Sequence, residues 1–134
     1  MSQENVEVVL KGLAAFNRGD MDAVVADTAP DVEYVASGMV PDRRGVFRGR
    51  EELKRLFAWV PEEFENAQAT PTDVIDIGDD KVLVATTFSG RGKQSGAEAS
   101  WTLWIVWTLS DRKIVRGHAF TSRAEALEAA GLSD

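Results

Sequence analysis

Two side chains in this sequence, Tyr34 and His118, are the candidates for acid–base chemistry that we can place, beside an acidic residue not yet placed among the 22 Asp and Glu. His118 is the only histidine, and so the only side chain that titrates near neutral pH without perturbation. Tyr34 shares a strand register with the apolar Val32 and Ala36, which predicts an inward hydroxyl that needs a hydrogen-bond partner. A tyrosine that only packs in the core would show the same pattern. Tyr34 and His118 are therefore candidate catalytic residues, with a structural role as the alternative.

The role of His118 depends on which face of its predicted strand points inward. Small residues suit a crowded interior, so we expect Gly117 and Ala119 inside and His118 outside, beside Trp104 and Val106 of the neighbouring strand. In the reverse register Arg116 and His118 would face the interior instead, Arg116 as a cation that binds an acidic ligand and His118 as a base. The two alternatives are an inward set of Val115, Gly117 and Ala119, or an inward set of Ile114, Arg116, His118 and Phe120.

The other polar clusters lack the spacing of a binding site. Arg43, Arg44, Arg48 and Arg50 surround a loop without a glycine-rich strand-to-helix turn, so we expect solvated side chains rather than a phosphate site. The Asp79–Asp80 pair fits a tight turn and offers too few oxygens for a divalent cation. The absence of cysteine excludes thiolate metal sites and a cysteine nucleophile. The sequence thus predicts no metal site and indicates no cofactor.

The elements that must position these groups centre on the stretch EASWTLWIVWTL at 98–109. Its strict alternation and its aromatic and β-branched content predict a half-buried strand. One register is apolar throughout: Ala99, Trp101, Leu103, Ile105, Trp107 and Leu109. The other register carries Trp104, and a large aromatic on a mixed face indicates a covered surface. We expect a homodimer interface there, formed by Trp104, Val106, Arg116 and Phe120.

The remaining chain alternates helical and strand patterns in a clear order. The loop at 38–47 joins a strand to a helix and could act as a lid, and Pro61 is expected to end the third helix. Helices followed by antiparallel strands predict an α+β fold, with helices on one face of a curved sheet. The predicted helices lie at 3–17, 21–28 and 50–60, the strands at 32–37, 71–77, 81–89, 98–109 and 113–120, and a closing helix runs from the Ser122–Glu125 capping box to Gly131.

Several segments together resemble the SnoaL-like proteins of the NTF2-like superfamily, whose relatives include ketosteroid isomerases, limonene-epoxide hydrolases and polyketide cyclases. The matching segments are AAFNRGDMDAVVADTAPDVEY, FRGREELKRLF, VIDIGDDKVLV, WTLWIVWTLSDRKIVR and RAEALEAAGL. The resemblance covers nearly the whole chain and implies one domain over 1–134. It implies a cone-shaped α+β barrel: three N-terminal helices packed in a strongly curved, mostly antiparallel sheet, with a short C-terminal helix. It also implies a dimer formed through the outer face of the sheet.

The catalytic residues of these relatives are not retained at the matching positions. The tyrosine and two acids of the isomerases fall at Gly12, Ala36 and Ile105. The set of the epoxide hydrolases falls at Tyr34, Ala36, Thr86, Phe88 and Ala119, where only the tyrosine is kept. The predicted last strand also carries no carboxylate in the place of the acid that cyclases use. The resemblance therefore implies the fold without a known catalytic set.

We expect the chain to bind a small apolar molecule in an aromatic-lined cavity. The alternatives are an isomerase, cyclase or hydrolase that uses Tyr34 and His118, and a dimeric interaction module. The net charge of −7 argues against nucleic acid and anionic membranes as partners. The absence of a signal peptide and of cysteine is compatible with the cytoplasm. The expected ligand-binding residues are Phe16, Tyr34, Phe57, Thr86, Phe88, Trp101, Leu103 and Trp107.

Overall fold

The computed structural model describes residues 2–36 and 45–132. Over these residues the chain forms four helices and six strands, and the predicted α+β class is confirmed. In chain order they are α1 (Ser2–Arg18), α2 (Met21–Val24), β1 (Thr28–Ala36), β2 (Gly45–Arg48), α3 (Arg50–Glu63), β3 (Phe64–Gly78), β4 (Lys81–Gly92), β5 (Glu98–Ser110), β6 (Lys113–Phe120) and α4 (Arg123–Ala129).

The six strands form one sheet in the order β2-β1-β6-β5-β4-β3. Consecutive hairpins join β3 to β6, so these neighbours pair antiparallel. β1 also pairs antiparallel with β2 but parallel with β6. The sheet is therefore mostly antiparallel, as the sequence predicts.

The inner face of the sheet carries the main hydrophobic core. The period-two prediction for β5 is confirmed, because Leu103, Ile105, Trp107 and Leu109 are all buried in that core. α1 and α3 pack on this face through their own apolar stripes, which include Phe16 and residues 53, 56, 57 and 60. The interior between the helices and the sheet is where a ligand would be enclosed.

The outer face of the sheet is partly covered by α4. Ser122 caps this helix by accepting a hydrogen bond from the Glu125 backbone N–H, as the capping-box spacing predicts. A second, smaller apolar cluster lies between the helix and the strands. Its buried members are Leu83, Val106, Phe120, Ala126 and Leu127.

Several predicted boundaries were wrong, mainly because strand pairing overrides local pattern. The second helix ends at Val24 rather than 28, and Thr28 already belongs to β1. Residues 45–48 form an edge strand paired with β1, not the end of a loop. The rest of the predicted loop, 38–44, lies outside the described residues, as does its expected role as a lid. These differences arise because pairing with a neighbouring strand satisfies the backbone whatever the local sequence favours.

The boundaries around α3 differ for a related reason. Pro61 lies inside α3, which continues to Glu63, and the Phe64 N–H still donates to the Val60 carbonyl. β3 then starts at Phe64, seven residues before the predicted start, because it pairs with the extended end of β4 as far as Gly92. No helix among the described residues is long and apolar enough to cross a membrane.

Candidate functional site

The interior holds a continuous set of aromatic side chains. Phe16 of α1 contacts Phe57 of α3 and Phe88 of β4, with ring centroids 6.4 and 5.7 Å apart. Tyr34 of β1 contacts Phe57 at 5.6 Å and Trp107 of β5 at 5.7 Å. Each ring is supplied by a different helix or strand, so the sheet and both long helices position the site together.

The aromatic set continues toward the end of the sheet at which the hairpin loop joins β4 to β5. Phe88 stacks on Trp101 at 5.8 Å with an interplanar angle of 16°. Trp101 contacts Phe64 at 5.3 Å, and Phe64 contacts Trp59 of α3 at 5.9 Å. Trp101, Phe64 and Trp59 are half-buried, so the set extends from the core to the surface.

A small cavity of about 30 Å³ lies between the helices and the sheet. Four of the predicted ligand-binding residues line it: Phe16, Phe57, Phe88 and Trp107. No side chain that lines it is charged. The sequence analysis missed the other lining residues, although the apolar stripe of α1 contains two of them. The missed residues are Val9, Gly12, Leu13, Val24, Thr28, Leu53 and Ile114.

Three buried polar atoms in this region have no hydrogen-bond partner among the described residues. They are Thr86 Oγ1, Trp101 Nε1 and Trp107 Nε1. Trp107 lines the cavity itself, and the other two side chains neighbour Phe88, which also lines it. A buried donor without an acceptor is costly, about 1–3 kcal/mol, and such groups are rare in folded proteins.

Tyr34 is fully buried, and the loss of solvent raises the pKa of its hydroxyl well above the ordinary value. It therefore stays protonated at neutral pH and cannot act as a base there. Its ring lies beside Gly117, where a Cβ would come within 2.6 Å of the Trp107 ring and 2.8 Å of Tyr34 Cδ1. The glycine thus makes room for two aromatic rings that shape the interior.

His118 lies on the opposite face of the sheet from Tyr34. Gly117 and Ala119 are buried inside, as expected, whereas His118 stacks on Phe120 with ring centroids 4.1 Å apart. Partial burial, and then the Arg116 charge, lower the pKa of His118. Because the sheet separates the two side chains, the structure does not bring Tyr34 and His118 into one site. This is the register that the sequence analysis favoured, and the alternative of a catalytic site shared by Tyr34 and His118 has no geometric support.

Ile114 is one departure from the predicted register of the last strand. The pairing of β6 with β5 shifts between Thr108 and Leu109, so Ile114 and Gly117 both face inward. Val115 lies at this irregularity and is half-buried. A bulge of this kind breaks the strict alternation on which register predictions depend.

The other predicted ligand-binding residues lie next to the cavity rather than on its surface. Tyr34, Thr86 and Leu103 are fully buried on the inner face, and Trp101 is half-buried. Whether any of them contacts a ligand stays a prediction.

The residues predicted for a dimer interface lie on the outer face. Val106 and Phe120 are buried in the cluster beneath α4, and the half-buried Trp104 packs against the same cluster. Arg116 is exposed and pairs with Glu33. α4 therefore supplies part of the cover that the sequence assigned to a second copy, and the homodimer stays a prediction.

Two arginines of the clusters that the sequence analysis set aside, Arg48 and Arg50, have structural partners. Arg50 donates from Nε and Nη2 to the Thr28 carbonyl, at 2.9 and 2.7 Å. Asp79 and Asp80 occupy positive-φ positions of the β3–β4 turn, and no group of side chains within 2–36 and 45–132 could hold a metal ion. Arg48 pairs with Glu33, and Arg43 and Arg44 lie outside the described residues.

Comparisons with solved structures find the same fold. A protein of ketosteroid isomerase-like fold from Catenulispora acidiphila, in complex with trimethylamine, is 21% identical, with a TM-score of 0.75 over 94% of this chain and 93% of that one. TerC, co-crystallised with polyporic acid, is 25% identical, with a TM-score of 0.75 over 96% and 98%. An NTF2-like protein from Burkholderia thailandensis is 27% identical, with a TM-score of 0.72 over 95% of each chain.

The family comparison agrees with these structures. None of the curated proteins matches the chain. The model of the SnoaL-like domain matches residues 9–117, which include α2, all of β1 to β5, and most of α1 and β6. The chain therefore belongs to the SnoaL-like domain family, within the NTF2-like fold.

Proposed function

We propose that this protein binds a small, uncharged, largely apolar molecule that carries at least one hydrogen-bond acceptor, such as a carbonyl oxygen. The observation that carries the proposal is the set of buried donors without acceptors beside an aromatic cavity. A ligand oxygen would satisfy Trp107 Nε1 or Thr86 Oγ1, while its apolar part would contact the rings of Phe16, Phe57 and Phe88. TerC, which has this fold, was co-crystallised with a small organic molecule, polyporic acid, and this supports small-molecule binding by a fold of this shape.

The uncharged lining selects against ionic ligands. No Asp, Glu, Lys, Arg or His among the described residues is buried, and desolvating an ionic ligand there would cost far more than an apolar contact returns. The lack of a buried acidic or basic side chain among the described residues favours binding over acid–base catalysis. Tyr34 does not replace such a group, because burial holds its hydroxyl in the neutral form. The donors would orient a carbonyl group, and no described side chain at the cavity is suited to remove a proton from it.

Ligand entry requires the cavity to expand. A volume of about 30 Å³ holds at most two or three water molecules, since a single water needs at least about 10–15 Å³ on this measure. The wall that can move most readily is α2, which has four residues and no buried side chain. It contributes Val24 to the lining, and Lys54 of α3 ties it down through Asp22. We expect binding to displace α2 while the sheet stays fixed.

The test compares 1-indanone with indane, which differ by one carbonyl oxygen on the same ring frame. We expect 1-indanone to bind at least about fivefold more tightly in calorimetry, since a matched hydrogen bond contributes about 1 kcal/mol. Thr86→Val and Trp107→Phe each remove one donor and should reduce this preference. Thr86→Val should also raise the stability of the unliganded protein, by about 1 kcal/mol, because it removes a buried hydroxyl without a partner.

Thr87→Val is the matched control, because Thr87 lies on the other face and pairs with Thr102 through their hydroxyls at 2.8 Å. It should leave the preference for indanone unchanged. Equal affinity for indanone and indane in the native protein would refute the proposal. So would a preference that survives both Thr86→Val and Trp107→Phe.

A further inference from the structure

The outer face of the sheet carries a second depression, separate from the interior cavity. It has a volume of about 80 Å³ and lies between strands β4, β5 and β6 and the end of α4. Among the described residues, its lining contains basic, hydroxyl and apolar side chains but no acidic one. The lining residues are Lys81, Val106, Thr108, Arg116, His118, Phe120 and Ala129.

Strand pairing fixes how the polar residues are arranged. Lys81 pairs with Thr108, and Thr108 pairs with Arg116, so the three form a row across β4, β5 and β6. Because neighbouring strands are about 4.8 Å apart, the backbones of Lys81 and Arg116 are about 10 Å apart. The short side chain of Thr108 lies between the long side chains of Lys81 and Arg116, so a gap remains above the sheet at this position. His118 borders the same gap from the next row along β6.

The donors in this depression are short of acceptors. Lys81, Thr108 and His118 have no side-chain hydrogen bond or ion pair among the described residues. Arg116 has one carboxylate partner, Glu33 at 3.4 Å, but Glu33 also pairs with Arg48 at 3.2 Å. One carboxylate is thus shared by two guanidinium groups, and the row keeps a positive charge. This concentration of cations is notable in a chain whose net charge is −7.

We propose that this depression is a binding site for the oxyanion of a small molecule, a carboxylate or a phosphate group, held by Lys81, Thr108 and Arg116. The two cations would approach the anion from opposite sides, and the Thr108 hydroxyl would donate from below. The stacked rings of His118 and Phe120 would contact an apolar substituent of the ligand. This site goes beyond the interior cavity and does not depend on it. Val106, Arg116 and Phe120 also belong to the expected dimer interface, so the anion and a second copy of the chain are alternative occupants of this face.

His118 makes the proposed site sensitive to pH. Partial burial and Arg116 lower the pKa of His118, so the ring is neutral at pH 7. A bound anion would favour the protonated ring, and by linkage affinity should rise as pH falls. Arg116 is the charged group that acts on the ring. Lys81 lines the same depression from β4, and Glu33 is paired with Arg116. α4 contributes only Ala129 to the lining.

The single imidazole allows a direct experiment. Proton NMR of His118 would be followed during titration with acetate and with inorganic phosphate, at constant ionic strength set with sodium chloride. We expect a saturable shift with a responding anion. For acetate, which keeps its charge over this range, affinity should be at least about threefold higher at pH 6 than at pH 8. Phosphate is titrated at a single pH, because it gains a second negative charge between these values. A response to acetate alone assigns the site to carboxylates, and a response to phosphate alone assigns it to phosphates.

Arg116→Gln and Lys81→Gln should each weaken binding at least about fivefold, and Thr108→Val should weaken it about threefold. Lys93→Gln removes an equal charge in the β4–β5 hairpin and should have no effect. A shift of equal size with sodium chloride alone would overturn the proposal, as would unchanged affinity in Arg116→Gln and Lys81→Gln. If adding the salt changes the translational diffusion of the protein but the His118 shift does not saturate, the proposal is wrong and the face instead binds a second copy of the chain.

Discussion

At the scale of single residues, two glycines of the interior have opposite requirements. Gly117 allows the rings of Trp107 and Tyr34 to approach the β6 backbone, and an added Cβ would lie 2.6 and 2.8 Å from them. Gly12 of α1 lines the cavity, and an added Cβ would meet only the Val24 carbonyl oxygen, at an ordinary 3.7 Å. An alanine at Gly117 would therefore be too crowded, whereas an alanine at Gly12 would fit and would only restrict the backbone.

Gly117→Ala should lower the free energy of unfolding by about 1–3 kcal/mol, because the methyl group forces two packed rings to move. Gly12→Ala should raise it, by up to about 1 kcal/mol, since alanine favours the helix and fits the space. Chemical denaturation of both variants checks the pair. A destabilised Gly12→Ala together with an unchanged Gly117→Ala would contradict the packing described for the interior.

At the scale of elements, α1 completes the free edge of β3. Asn17 Nδ2 donates to the Ala69 carbonyl at 2.9 Å, and the Ala69 N–H donates to Asn17 Oδ1 at 2.7 Å. β3 is an edge strand, and Ala69 is fully buried there. The amide side chain thus takes the place of a neighbouring strand for one residue and fixes the end of α1 against the sheet.

Asn17→Ala should therefore lower the free energy of unfolding by about 2 kcal/mol, because both buried backbone groups of Ala69 lose their partner. Asn17→Asp keeps the acceptor for the Ala69 N–H but places a second carboxylate oxygen against the Ala69 carbonyl, so it should also destabilise the protein at neutral pH. Gln68→Ala on the same strand is the control, since its exposed side chain bonds only to the neighbouring Ala67 carbonyl. Equal stability of Asn17→Ala and Gln68→Ala in urea unfolding would show that α1 is held by other contacts.

At the scale of the whole molecule, His118 links stability to pH. Its pKa is lower in the folded protein than in the unfolded chain, so the unfolded chain binds the proton more readily. The contribution of His118 to the free energy of unfolding is fully present above about pH 6.5, the pKa of histidine in the unfolded chain. It is lost as the pH falls through the lower pKa of the folded protein. We expect His118→Gln to flatten the decline in stability below pH 6.5 relative to the native chain. Parallel pH profiles of the two proteins in thermal unfolding would contradict this.

Much of the fold was predictable because the relevant signals are local. The alternation of β5, the helical stripes of α1 and α3 and the Ser122 cap depend on residues close in sequence, and each was confirmed. Boundaries that depend on pairing were not predictable. β3 begins at Phe64 because β4 offers a partner there, and β2 exists because β1 has a free edge.

The sequence by itself determined the α+β class and the aromatic composition of the interior, and its resemblance to the SnoaL-like proteins indicated the family. The class and the composition follow from periodicity and residue types, which the chain carries before it folds. Only the tertiary structure decided between the two registers of the last strand, with Gly117 inward and His118 outward. It alone also showed that Trp107 Nε1 lacks an acceptor among the described residues. It also decided that Lys81, Thr108 and Arg116 form one row. These facts depend on the register of strands distant in sequence, where a shift of one residue would reverse every facing.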